Sequence, residues 1–113
     1  MTNRPAESYT EAMVKEELTA RLRSAVEDSP YRASIRSVAL FGSYLHGTAT
    51  DDSDIDVLID FDPQATVGLF EFVEIQEQLS EALGRRVDLL TPQSLSKYFR
   101  DEVLKQAERV YGF

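Results

Sequence analysis

The sequence predicts a protein of the α/β (α+β) class, in which a small mixed β-sheet is flanked by helices. Two observations carry this prediction: three short runs of β-branched and apolar residues, and three longer segments with apolar residues at helical spacing. The chain has 113 residues, of which 42% are hydrophobic and 28% charged, which is typical of one globular domain. We expect residues 1–8 to be a flexible N-terminus and residues 9–113 to form that domain.

The first half of the chain is predicted to form a helix and a strand. Residues 9–27 have the spacing of an amphipathic helix, and the Asp-Ser-Pro sequence at 28–30 ends it. Its apolar positions are Met13, Val14, Leu18, Leu22 and Val26. Residues 35–41 are β-branched and apolar, which predicts the first strand, ending at Gly42-Ser43. Residues 42–53 are then a connection rich in Gly, Ser, Thr and Asp.

The second half is predicted to contain two strands and two helices. Residues 54–61 form the second strand, residues 67–83 a helix that Gly84 stops, and residues 86–90 the third strand. Residues 93–107 follow Thr91-Pro92 as the last helix, with Leu95, Tyr98, Phe99 and Val103 on one side. Residues 109–111 either extend that helix or form a short strand, and the sequence leaves both open.

Composition excludes several classes of protein. The 12 Lys and Arg face 20 Asp and Glu, a formal net charge of −8, which disfavours a nucleic-acid binder because such affinity rests on basic side chains. No run approaches the roughly 18 apolar residues of a membrane span, and the N-terminus lacks the apolar centre of a signal peptide. The absence of cysteine excludes disulfides and thiolate chemistry. We therefore expect a cytoplasmic protein.

The acidity is concentrated in the middle of the chain. Between Arg36 and Arg85 there is no Lys or Arg, while ten Asp and Glu occur there. The glutamates at positions 71–81 fall on the polar side of a helical pattern, as solvated residues do. The aspartates instead lie among the apolar residues of the second strand and need another explanation.

Side-chain alternation places the aspartates of the second strand together. Asp54, Asp56, Leu58 and Asp60 share one face of the strand, and Ile55, Val57, Ile59 and Phe61 share the other, which we expect to be buried. Carboxylates at i and i+2 lie about 7 Å apart at Cα, and a divalent cation such as Mg²⁺ or Mn²⁺ would remove their repulsion. The alternative is a solvent-facing strand that happens to carry aspartates, although aspartate is depleted in strands.

Two further features surround this pair. Gly42-Ser43 ends a strand with backbone N–H groups and a hydroxyl that suit a phosphate, and Gly47 permits a further bend, although Gly-Ser is also a common turn. Asp88 is the only acidic residue of the third strand and is a candidate third carboxylate, or else a charge on an edge strand. A phosphate cradle beside metal-binding carboxylates is what phosphoryl and nucleotidyl transfer require.

Together these motifs resemble a known family. Gly42-Ser43, ten intervening residues and Asp54-Ile55-Asp56, followed later by Val87-Asp88-Leu89-Leu90, are similar to the minimal nucleotidyltransferases (MNT domains) of the DNA polymerase β superfamily. The resemblance covers roughly residues 35–113 and implies a polymerase β-like nucleotidyltransferase fold. Many MNT proteins are antitoxins paired with a HEPN-domain ribonuclease toxin, and they resemble adenylyltransferases that move AMP from ATP to a tyrosine of the toxin.

The resemblance also implies roles for individual residues. Gly42 and Ser43 would bind the nucleotide phosphates, Asp54 and Asp56 would hold two Mg²⁺ ions, and Asp88 would be the third carboxylate and the base for the incoming hydroxyl. Many members have an Ala-Arg pair where this chain has Leu45-His46. The histidine either substitutes weakly for that arginine or is simply a loop residue.

Three functions are compatible with this pattern: adenylylation of a HEPN toxin, neutralisation of the toxin by binding alone, and nucleotidyl transfer to a small molecule such as an antibiotic. A template-dependent polymerase is excluded, because the chain is too short for base-reading subdomains and too acidic to hold DNA. The partner surface is predicted at the C-terminal aromatics of residues 111–113 or on the N-terminal helix.

Overall fold

Four strands form one mixed sheet in the computed structural model, which describes residues 15–42 and 54–112. The strands are β1 (Ile35–Phe41), β2 (Ile55–Phe61), β3 (Val87–Leu90) and β4 (Glu108–Gly112). Their order in the sheet is β3-β2-β1-β4. Strand β1 is antiparallel to both β2 and β4, whereas β2 and β3 are parallel. The predicted mixed sheet is therefore confirmed, and β2 and β3 begin one residue later than expected.

The hydrophobic core lies between one face of this sheet and two helices, α1 (Lys15–Glu27) and α2 (Leu69–Leu83). The buried helix residues are Leu18, Leu22, Ala25, Val26, Ile75, Leu79 and Leu83. From β2 they meet Ile55, Val57 and Ile59, all with 0% exposure, as alternation predicts. Residues 9–14, which the sequence assigns to the first helix, lie outside the described residues, as do residues 1–8.

Helix α2 ends where glycine allows the chain to turn. Gly84 follows it with a φ of +68°, the left-handed conformation that glycine adopts without strain, so the predicted stop is confirmed. The helix begins at Leu69 rather than at residue 67, because the Gly68 N–H donates to the Glu71 side chain at 3.0 Å and closes the first turn.

Two polar contacts tie α2 to the segment before the sheet. The Tyr31 hydroxyl donates to the Glu74 carboxylate, and the Gln78 side chain donates to the Ala25 carbonyl at 2.9 Å. The hydrogen bond to Glu74 is the main reason why the pKa of Tyr31 is raised above its ordinary 10.0.

The last predicted helix is wrong over its first half. Residues 93–107 do not form one helix: Pro92–Ser94 is a single 3₁₀ turn, and helix α3 covers only Arg100–Gln106. The reason is local capping, since the Thr91 hydroxyl accepts from the Ser94 N–H at 3.2 Å and the Ser94 hydroxyl donates to the Thr91 carbonyl at 2.8 Å. Consequently Tyr98 and Phe99 are 83% and 65% exposed, instead of sharing a buried face.

The end of the chain resolves an alternative that the sequence left open. Residues 109–111 belong to strand β4, which pairs with β1 and does not extend α3. The Arg23 side chain of α1 donates to the Val110 carbonyl at 2.9 Å, so it caps the outer edge of β4.

Within residues 15–42 and 54–112, the second face of the sheet is covered only in part. Leu58 lies on the aspartate face of β2, yet it is only 6% exposed. It shares a small cavity with Pro92 and Leu104 of the segment that includes α3, so this segment covers the sheet from that side. The N-terminal end of β2, with Asp54 exposed and Asp56 half-buried, is left more open.

Candidate functional site

Asp54 and Asp56 lie at the start of β2. Asp54 immediately precedes the strand and is exposed, whereas Asp56 is its second residue and is half-buried. Because Ile55 and Val57 are fully buried against the helices, alternation turns both aspartates to the opposite face. The packing of apolar neighbours therefore dictates the orientation of the two carboxylates.

Asp88 lies beside this pair on the neighbouring strand. Parallel pairing of β2 with β3 puts Asp56 opposite Asp88 and Ile55 opposite Val87. Neighbouring strands are about 4.8 Å apart, so the two aspartates are direct neighbours, and the Asp88 side chain is exposed. The structure thus brings together three carboxylates that are separated by up to 34 positions in the sequence.

Gly42 lies next to Asp56 on the side away from β3. It follows β1 directly, and Phe41 of that strand pairs with Asp56. A Cβ atom at Gly42 would lie 2.1 Å from Asp56 Oδ2, and the residue has a φ of +82°. Both observations require glycine here, because any side chain would occupy the position of the carboxylate. Ser43, Leu45, His46 and Gly47 lie outside the described residues.

The candidate residues therefore form a row across three strands: Gly42 after β1, Asp54 and Asp56 at the start of β2, and Asp88 on β3. A groove of about 810 Å³ opens at the β3 end of this row. Its lining residues are Asp54, Gln76, Glu77, Ser80, Glu81, Gly84, Arg85, Arg86, Val87 and Asp88. Arg85 and Arg86, the first Lys or Arg residues after Arg36, were not predicted to belong to this site.

The donor chemistry of the row fits Mg²⁺, because hard carboxylate oxygens are its preferred protein ligands. Backbone placement fits as well, since Asp56 and Asp88 are register partners and Asp54 is two residues from Asp56. Among residues 15–42 and 54–112, however, no three Asp, Glu or His side chains already form a metal-binding cluster. Carboxylates that lie close together repel one another, and a bound cation would offset that repulsion.

Gln76 and Ser80 of α2, which were not predicted as site residues, form hydrogen bonds to the backbone of β3. The Ser80 hydroxyl accepts from the Val87 N–H at 3.0 Å, and the Gln76 side chain accepts from the Leu89 N–H at 3.1 Å. These N–H groups belong to the residues on either side of Asp88. The available signal was the presence of two polar residues, four apart, within the amphipathic helix pattern of residues 67–83.

The predicted partner surface at the C-terminal aromatics is not an exposed aromatic patch in the described residues. Tyr111 is half-buried and packs against the hydrophobic core, so the expectation of an exposed aromatic is wrong at that position, and Phe113 lies outside the described residues. Large exposed apolar side chains occur instead at Leu69 and Phe70, with 77% and 86% exposure, and at Tyr98 and Phe99.

In the described part of the chain, no helix is both long and apolar enough to cross a membrane.

Known proteins share sequence similarity with most of this chain. The sequence model of a family described as "nucleotidyltransferase domain" matches residues 20–110. The protein adenylyltransferase MntA of Thermococcus cleftensis is 36% identical over 91 residues, which is 80% of this chain and 90% of that protein.

Two solved structures share the fold. A protein assigned as a minimal nucleotidyltransferase superposes with a TM-score of 0.67 and 36% identity, over 81% of this chain and 91% of that chain. A toxin–antitoxin structure with AMP-PNP superposes with a TM-score of 0.63 and 27% identity, over 88% of this chain and 74% of that chain.

Proposed function

Because the chain belongs to the nucleotidyltransferase domain family, we propose that it is an antitoxin that transfers AMP from ATP to a tyrosine of a HEPN-domain ribonuclease toxin. The observation that carries this proposal is the row in which Gly42, Asp56 and Asp88 meet on adjacent strands. The similarity to a protein adenylyltransferase and to a toxin–antitoxin structure with a bound ATP analogue supports the same reaction and the same kind of partner.

The three aspartates would hold two Mg²⁺ ions. Asp54 and Asp56 would contact both ions, and Asp88 would contact one of them. When bound, the ions supply positive charge for the triphosphate and lower the pKa of the attacking hydroxyl. Metal would supply this charge beside Gly42 and the start of β2, because residues 37–84 contain no Lys or Arg, whereas Arg85 and Arg86 line the groove at the β3 end of the row.

The protein's own residues would align the reacting groups. Gly42 and Ser43 would bind the triphosphate through backbone N–H groups and the serine hydroxyl. Asp88 would accept the proton of the tyrosine hydroxyl as its oxygen attacks the α-phosphorus. The new phenol–phosphorus bond forms while the bond from the α-phosphorus to the bridging oxygen breaks, and pyrophosphate leaves.

The direction of transfer follows from the order of the row. Gly42 marks the β1 side of the carboxylates and Asp88 the β3 side, so the phosphates and the acceptor hydroxyl would approach from opposite sides. This is the arrangement that an in-line displacement requires. Since the reaction uses ATP, we propose the cytoplasm as its location and residues 9–113 as the domain that performs it.

The test is transfer to the toxin encoded beside this protein. We expect the toxin, incubated with this chain, ATP and Mg²⁺, to gain mass in steps of one AMP, as measured by intact-mass spectrometry. The variant Asp54→Ala/Asp56→Ala should give no gain. Asp60→Ala is the matched control, because Asp60 lies on the same face of β2 beyond the row and should leave transfer unchanged.

Two outcomes would contradict the proposal. If the toxin stays unmodified but still forms a complex with this chain, the protein neutralises by binding alone. If AMP transfer requires a small hydroxyl compound and the toxin is not an acceptor, the protein modifies small molecules.

A further inference from the structure

We propose that Gln76 and Ser80 are positioning residues for Asp88, and that they hold strand β3 in the register that metal-assisted transfer needs. This inference rests on the proposed function for its kinetic consequence. Its structural basis lies in the contacts between the inner face of α2 and the outer edge of β3.

Strand β3 is weakly held by the sheet itself. It is four residues long, and among the described residues it lies at the edge of the sheet and pairs with the parallel strand β2 alone. Short parallel edge pairs are among the less stable pairings. Asp88 weakens the pairing of β3 with β2 further, because it lies opposite Asp56. Like charges at opposite positions of two paired strands destabilise that pairing.

Two side chains of α2 compensate on the outer edge of β3. Ser80 Oγ accepts the Val87 N–H at 3.0 Å, and Gln76 Oε1 accepts the Leu89 N–H at 3.1 Å. The Ser80 hydroxyl is itself oriented, since it donates to the Gln76 carbonyl at 2.8 Å. Both contacts are partly buried, which strengthens them relative to exposed hydrogen bonds.

The distance between Gln76 and Ser80 along α2 matches the distance between Leu89 and Val87 along β3. Residues four apart on a helix are separated by about 6 Å along its axis, and residues two apart on a strand by about 6.6 Å. Gln76 and Ser80 therefore meet Leu89 and Val87 without distortion of either element, and Asp88 is held between them. The backbone on both sides of the third carboxylate is fixed to α2.

Positioning follows from this geometry. The metal-free protein experiences repulsion between Asp56 and Asp88 that favours separation of β3 from β2. The two contacts resist that separation, so Asp88 stays opposite Asp56 before any cation binds. Without them, part of the binding free energy of the cation is used to restore the register.

The test compares Gln76→Met/Ser80→Ala with the wild-type protein. We expect Mn²⁺, used as a paramagnetic probe of the site, to bind about tenfold more weakly, as the loss of two hydrogen bonds allows. In transfer assays kcat should fall with Mg²⁺ below saturation and recover partly at high Mg²⁺, while KM for the toxin stays unchanged. Ser80→Ala alone should weaken Mn²⁺ binding about threefold, and Ser80→Thr, which keeps the hydroxyl, should restore it.

The control variant is Arg23→Met. It removes a comparable side-chain cap, the contact from Arg23 to the Val110 carbonyl on the opposite edge of the sheet. We expect this variant to lose stability to urea without any change in Mn²⁺ affinity. Amide hydrogen exchange should become faster at Val87 and Leu89 in the double variant and remain unchanged there in Arg23→Met.

The outcomes separate this proposal from the proposed function. If the double variant loses stability but binds Mn²⁺ as the wild type does, Gln76 and Ser80 are structural only and the proposal is overturned. If the wild-type protein transfers no AMP, the proposed function fails, whereas Mn²⁺ affinity and hydrogen exchange still decide whether these residues position Asp88.

Discussion

Replacing Gly42 with alanine should remove activity by displacing Asp56. The added Cβ would lie 2.1 Å from Asp56 Oδ2, 2.9 Å from its Cγ and 3.0 Å from its Cβ. Rotation of the carboxylate relieves the first two contacts but not the third, because the Asp56 Cβ moves only with the backbone of β2. The carboxylate must therefore leave its place in the row, or the turn after β1 must shift.

The expected loss of folding stability in Gly42→Ala has two parts. A non-glycine residue in the left-handed region costs about 1–2 kcal/mol, and Gly42 has a φ of +82°. The matched control is Gly84→Ala, whose φ of +68° carries a similar cost but whose Cβ would meet no atom within 4 Å. Any additional loss in Gly42→Ala, about 1–2 kcal/mol for a rearranged close contact, measures the clash with Asp56.

Urea denaturation and AMP transfer to the toxin, run on both variants, test this reasoning. We expect Gly84→Ala to lose about 1 kcal/mol of stability and keep its activity, whereas Gly42→Ala loses more stability and at least 100-fold in transfer rate. Equal stabilities, or a Gly42→Ala variant as active as the wild type, would refute the claim that Gly42 is needed to make room for the Asp56 carboxylate.

Three other variants test separate parts of the structure. Asp88→Asn should abolish Mg²⁺-dependent transfer while raising the free energy of unfolding of the metal-free protein, measured by urea denaturation, by about 0.5 kcal/mol. A less stable variant would contradict repulsion across β2 and β3. Gly112→Ala should lower the free energy of unfolding by more than about 2 kcal/mol, as measured by urea denaturation. The reason is that its Cβ would lie 2.1 Å from a backbone carbonyl oxygen and that its φ is +91°. A loss of stability no greater than that of an exposed substitution would count against the pairing of β4. Tyr31→Phe tests how stability depends on pH. The hydrogen bond to Glu74 raises the pKa of Tyr31. The stabilisation that this hydrogen bond gives the folded protein is therefore present below the ordinary pKa of 10.0 and is lost as the pH rises through the raised value. The difference in urea midpoint between wild type and variant should therefore be fully present at pH 8 and should shrink as the pH is raised beyond 10.

The sequence alone predicted the central part of the fold because its signals there are local. In strand β2 the buried residues Ile55, Val57 and Ile59 alternate with Asp56, Leu58 and Asp60, so period-two patterning indicated both its structure and its buried face. Gly84 at the end of α2 is an equally local signal, since only the left-handed conformation is needed there. The three aspartates were predicted as candidate site residues for the same reason, as charges within apolar runs.

Features that depend on contacts between residues distant in sequence were decided only by the tertiary structure. Residues 93–99 have a helical pattern, but hydrogen bonds between Thr91 and Ser94 favour a short turn, and residues 108–112 become a strand because β1 offers an unpaired edge. The meeting of Asp56 with Asp88 comes from parallel pairing, whose register no local pattern specifies. The support of β3 by Gln76 and Ser80 likewise arises only once α2 packs beside that edge, because a side-chain hydrogen bond across elements requires their arrangement in space.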